Sequence, residues 1–143
     1  MNLANIFSLE ETRLSEFYIN ELLKTNDEIK KYGLVITLDE VKQIINVRNK
    51  VLKDYGRIEL SFETTKKLIN VFSSSAFIND ENYVRILNDM QETFYYLKNE
   101  TEDRLGDEKL IELMKDLFEN SCEGSVELLN SYLEDFSRSF RKN

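Results

Sequence analysis

Apolar side chains recur along most of this chain at the three-and-four spacing of a helix face, not at the alternation of a strand. Stepped at about 100° per residue, Val41, Ile44, Ile45, Val51, Leu52 and Tyr55 share one arc, and Phe62, Thr65, Leu68, Ile69 and Phe72 share a second. A third holds Tyr83, Ile86, Leu87, Met90, Thr93, Phe94 and Leu97, flanked by Tyr95 and Tyr96, and a fourth holds Val126, Leu129, Tyr132, Leu133, Phe136 and Phe140. The pattern predicts helices near residues 9–24, 27–32, 38–55, 62–73, 80–104, 108–121 and 125–141. Such faces are stable only when they cover one another, so the expected fold is all-α, a single-domain bundle of six or seven helices over residues 1–143.

The breaks between the helices carry their own signals. Gly33, Gly56, Gly106 and Gly124 fall between the periodic segments, where left-handed residues end helices. Tyr32-Gly33 leads through Leu34–Ile36 to Thr37, and Tyr55-Gly56 leads through Arg57–Leu60 to Ser61. Each is a short extended piece ending in a hydroxyl N-cap, and Glu40 completes a capping box with Thr37. Leu34–Ile36 and Ile58–Leu60 are the β-like pieces and are candidates for a minimal two-stranded ladder. Ser73-Ser74-Ser75 reads as a loop at a helix end and as the best hinge candidate.

Composition fits a folded chain: of 143 residues, 41% are hydrophobic and 32% charged. What is missing excludes chemistry. Without histidine there is no imidazole base, no His-dependent triad and no His-ligated zinc or di-iron site. Cys122 alone forms no intramolecular disulfide or cysteine metal cage, and with Glu119 and Glu123 nearby it is expected to be a structural thiol. No basic, apolar secretory leader and no spanning helix is read, so the expectation is a cytoplasmic, membrane-free protein.

Charge narrows the partners. The net −8 divides into −2 over residues 1–36, +2 over 37–78 and −8 over 79–143. The acidic block argues against nucleic acid and favours a protein partner or self-association. Lys42, Asn46, Lys50 and Lys53 form a modest basic face that suits an acidic partner, phosphate or ordinary solvation. The acidic residues of 100–127 show neither a Glu-x-x-Glu motif nor an EF-hand loop, so they read as solvated helix faces, with Asp107 capping a helix. No cofactor or metal is called for.

Two charges break the pattern. Arg48 lies inside the apolar arc of residues 41–55, and Glu21 lies among Leu14, Phe17, Tyr18 and Leu22. A buried charge must be matched, so Arg48 and Glu21 are expected to pair, with Glu59 as the other acid. The functional version of the same feature is an internal pocket in which Arg48 and Arg57, with Glu21 and Glu59, hold a small molecule or phosphate.

At Tyr32–Glu59, with Arg48-Asn49 and Tyr55–Glu59, and again at Phe94–Glu100 and Phe118–Ser125, the chain resembles a family of small acidic cytosolic proteins of Gram-positive anaerobic bacteria with no known activity. The resemblance implies a bacterial cytosolic protein and supplies no catalytic residue, cofactor or partner. The expected function is non-enzymatic, an adaptor working through protein contacts. The alternative is a pocket of Arg48, Arg57, Glu21 and Glu59 that binds a small molecule or phosphate, as a binding protein or an enzyme.

Overall fold

The computed structural model describes residues 15–142, apart from the Lys142 side chain. The chain runs through α1 (residues 15–23), α2 (Asn26–Ile29), a 3-10 turn (Lys30–Tyr32), α3 (Leu38–Asp54), α4 (Glu63–Phe72), α5 (Tyr83–Glu100), α6 (Asp107–Glu119) and α7 (Val126–Lys142). The predicted helices are present with shifted ends: α3, α4 and α5 are shorter than expected, α6 and α7 move by one or two residues, and the last turn of the segment 27–32 is 3-10. The part of the first one before residue 15, Leu14 included, lies outside the described residues.

Helix α5 is the axis of the bundle: α3, α4, α6 and α7 all pack against it, α3 along the greatest length. Its sequence shows why. Beyond one apolar stripe it buries Tyr95, Gln91 and Lys98, so that almost every direction around it faces protein. Polar members of that core are satisfied internally. Gln91 Nε2 donates to the Ile44 carbonyl of α3 at 3.1 Å, and Thr65 of α4 donates to Gln91 Oε1 at 2.9 Å. Tyr83 and Phe72 fill the α4–α5 side, and Phe118 packs edge-on against Phe72 at 5.6 Å.

No strand occurs among the described residues, and the expected ladder is absent. Each β-like piece is instead held by a side chain. The Asn26 amide brackets Ile36, donating to its carbonyl at 2.9 Å and accepting from its N–H at 2.8 Å. The piece after Gly56 is gripped by Arg48, as described below. A side-chain amide or guanidinium supplies the donors a neighbouring strand would have supplied.

The caps divide in the same way. Thr37 and Glu40 form the full capping box at the start of α3. The second junction departs from expectation: Phe62, not Ser61, is the N-cap of α4, and it caps with no side-chain bond. Helix α3 ends in a Schellman arrangement, Gly56 N–H reaching Lys53 O and Arg57 N–H reaching Leu52 O, which requires the positive φ of 65° at Gly56. Gly106 is not left-handed; at φ −68° and ψ 156° it is the N-cap of α6, and Asp107 is the first helical residue. The left-handed work after α5 falls to Glu102 and Asp103, at φ 53° and 59°. Ser73, Ser74 and Ser75 form a tied corner, their hydroxyls bonded to Asn70 O, Val71 O and Phe77 N–H.

Candidate functional site

Arg48 is buried, as its place on the helix demands, with 6% of its surface exposed. Its partners differ from expectation. Nη2 donates to the carbonyls of Glu59 at 2.6 Å and Ser61 at 2.9 Å, Nη1 donates to Asn49 Oδ1 at 2.9 Å, and the guanidinium lies 3.9 Å over the Phe62 ring. Nε has no acceptor among the described residues. Burial pulls the Arg48 pKa down from its ordinary value, against the opposing pull of Tyr95 and Glu59. The expected Arg48–Glu21 pair does not form. Glu21 faces Lys66 at 2.9 Å and Lys24 at 3.1 Å, and these bonds hold its carboxyl below the usual range.

Glu59, the second candidate acid, meets Arg48 through its backbone. Its carboxylate accepts from the Tyr95 hydroxyl, whose pKa is pushed well up by burial first and by Glu59 second. Arg57 turns the same way. It donates to Asn99 Oδ1 at 2.8 Å and to Asp103 Oδ1 at 2.5 Å, and the bond to Asp103 raises its pKa. Asp103 is delivered by the strained left-handed turn after α5, and Lys98 ties that turn to α6 through Leu105 O at 3.1 Å and Asp107 at 2.9 Å. From the other side Tyr18 of α1 donates to Leu60 O at 2.7 Å and packs on Phe62 at 4.2 Å.

The outcome is a non-helical segment, Arg57–Ser61, bent at Leu60 and Ser61 and clamped from α1, α3, α5 and the α5–α6 turn. Arg57 and Glu59 point inward to their partners. Ile58 and Leu60 point outward, 89% and 83% exposed, beyond every other large hydrophobic residue described, of which Val35 at 61% comes next. Beside them lies a shallow cleft of about 510 Å³ lined by Asn49, Leu52, Lys53, Gly56, Arg57, Ile58 and Glu59. Arg48, Arg57 and Glu59 thus meet on one segment, and Glu21 stands apart. Sequence reasoning missed Tyr18, Tyr95, Asn99 and Asp103. Tyr95 flanked an apolar stripe and Asp103 sat in an acidic run, so neither position carried a distinguishing signal.

The rest of the candidate chemistry is quiet. Among the described residues no group of three or more Cys, Asp or Glu is placed to hold a metal ion, and no helix is long and apolar enough to cross a membrane. Cys122 is buried at the α6–α7 turn, and burial, in place of the neighbouring acids, pushes its thiol up.

The Arg57–Asp103 bridge makes one pH-dependent contribution. Arg57 lowers the Asp103 pKa below its unfolded value, so the bridge stabilises fully above about pH 4 and is lost as pH falls through the folded-state value. Thermal unfolding of the protein and of Asp103→Asn is expected to differ at pH 6 and to converge toward pH 2; a constant gap would show that the bridge does not titrate.

Fold and site together define a small all-α protein with a clamped non-helical segment that turns two apolar side chains outward. The chain belongs to the family of unknown function DUF6323, which it matches over residues 21–143. No match to it is found among the curated proteins, nor among the solved structures.

Proposed function

We propose that the protein acts without catalysis, as an adaptor that docks a partner protein on the ridge of Ile58 and Leu60. The observation that carries this reading is the exposure of those two side chains on a backbone that Arg48, Tyr18, Tyr95 and Asp103 hold in place. An apolar pair presented on a fixed segment loses little conformational freedom on binding. Lys53 borders the ridge and exposed Lys42 lies further along the same face of α3, whereas Lys50 between them is paired with Asp54 at 2.7 Å. The matching occupant is an acidic segment bearing apolar side chains on a different protein. The pocket alternative has less support, because Arg48, Arg57, Glu21 and Glu59 are each engaged by neighbours within the chain.

The test is a photo-reactive phenylalanine analogue placed at position 58 in the native host, with position 112 on the exposed face of α6 as control. One discrete adduct with a foreign acidic protein is expected from position 58 alone, its yield falling at least fivefold with Lys53→Glu or Leu60→Asp. No adduct, an equal adduct from position 112, or an adduct of two copies of this chain overturns the proposal. Ile58→Asp with Leu60→Asp is expected to change stability by no more than about 0.5 kcal/mol, since neither side chain is packed.

A further inference from the structure

The ridge lies where the chain enters the bundle. Tyr18 reaches Leu60 O and packs on Phe62, and Glu21, one turn later, reaches Lys66 in the first turn of α4. Helices α1 and α4 therefore run side by side in the same direction, and the chain ahead of Ser15 leaves α1 at its Leu60 end. Phe17 is uncovered at that end too, 57% exposed and edge-on to Tyr18 at 5.4 Å. Among the described residues, then, three large apolar side chains, Phe17, Ile58 and Leu60, stand without cover around the point of entry, and exposed Lys53 borders Ile58.

The sequence ahead of Ser15 has the chemistry that such a surface takes. Residues 3–9 carry Leu3, Ile6, Phe7 and Leu9 and no charge, and Glu10 and Glu11 follow. An apolar stretch beside an acidic pair complements apolar side chains beside a lysine. The reach is sufficient: Phe7 is eight positions ahead of Ser15, a span of up to about 26 Å when extended. So short a tether gives an effective concentration of roughly millimolar, at which weak apolar contacts suffice.

We propose that residues 3–11 lie over Phe17, Ile58 and Leu60, with Ile6 and Phe7 on the apolar side chains and Glu10 and Glu11 toward Lys53, and that a partner must displace them to dock. The regulatory half of this inference rests on the ridge being the docking surface proposed above; the cover itself does not.

The test uses the full chain with the photo-reactive phenylalanine analogue at position 58, irradiated first as the purified protein at micromolar concentration and then in the native host. In the purified protein an intramolecular adduct is expected, joining the tryptic peptides 1–13 and 58–66. Ile6→Asp with Phe7→Asp is expected to cut its yield at least fivefold. A tether that merely passes the ridge would give the same yield in both forms. An unchanged yield, an adduct confined to peptide 14–24, an adduct between two copies, or no adduct overturns the cover. In the host, the same two substitutions are expected to raise the yield of the foreign adduct at least threefold. An intramolecular adduct with no foreign adduct from either form upholds the cover and overturns the docking reading. A foreign adduct without the intramolecular one upholds docking and overturns the cover. Both adducts, with a foreign yield that the substitutions leave unmoved, overturn the regulation. Helix content and thermal midpoint of the variant are measured alongside; should the double variant unfold, single Phe7→Ser serves in its place and is expected to cut the intramolecular adduct at least twofold.

Discussion

Alanine at position 124 is expected to lower the unfolding free energy by about 2–4 kcal/mol, the sum of left-handed strain and overpacking. Gly124 sits at φ +83°, and a methyl group there would lie 2.6 Å from both Cβ and Cγ of Phe77. These atoms are at the root of the Phe77 side chain and cannot swing clear without moving the corner that carries them. Phe77 in turn packs edge-on to Phe118 at 6.2 Å, so the disturbance reaches the buried end of α6. Gly33 is the control. It has φ +76° and nothing within 4 Å of the same position, so Gly33→Ala should cost only the strain, about 1–2 kcal/mol. Thermal or denaturant unfolding of the two variants side by side checks the difference; equal losses would show that the 73–82 corner yields freely.

Arg48→Ala is expected to cost about 3–4 kcal/mol and to loosen the clamped segment. The change removes charge-assisted bonds to two carbonyls, each worth about 1.5–3 kcal/mol, and the packing over Phe62. The second term is offset in part, because an arginine with an unmatched Nε no longer has to be buried. Arg48→Met keeps most of the volume and gives up the bonds, so it should fall between the wild type and the alanine variant. Limited proteolysis separates a local from a global effect: cleavage after Arg57 should quicken in both variants while the centre of α5 stays resistant at equal global stability. Unchanged cleavage at 57–61 would mean that Tyr18, Tyr95 and Asp103 suffice to hold the segment.

How far the sequence discloses this arrangement depends on which link is asked for. Helical faces were legible because a wheel depends only on local geometry, and α3, α4 and α5 bury the residues their arcs selected. The same wheel placed Arg48 inward and could not say what faces it. Two of its three acceptors are main-chain carbonyls, which every residue possesses and no residue type advertises. Glu21 was drawn toward the interior by its arc, and there Lys66 of α4 meets it, a contact across 45 positions that periodicity does not encode. The outer arc of α7 shows the converse limit: Tyr132 shares the apolar stripe yet stays 46% exposed, because the helix turns only Leu129, Leu133 and Ser137 fully inward. The turn after α5 was illegible for another reason. Left-handed conformations are expected at glycine, and here Glu102 and Asp103 adopt them while Gly106 does not.

The position of Cys122 has a practical corollary. The chain's single thiol is sealed beneath the α6–α7 turn, its N–H bonded to Leu117 O at 2.8 Å. A solvent-borne alkylating reagent meets it only while that corner stands open, so the pace of alkylation in the native protein counts local excursions at the place where Gly124 and Phe77 lock together.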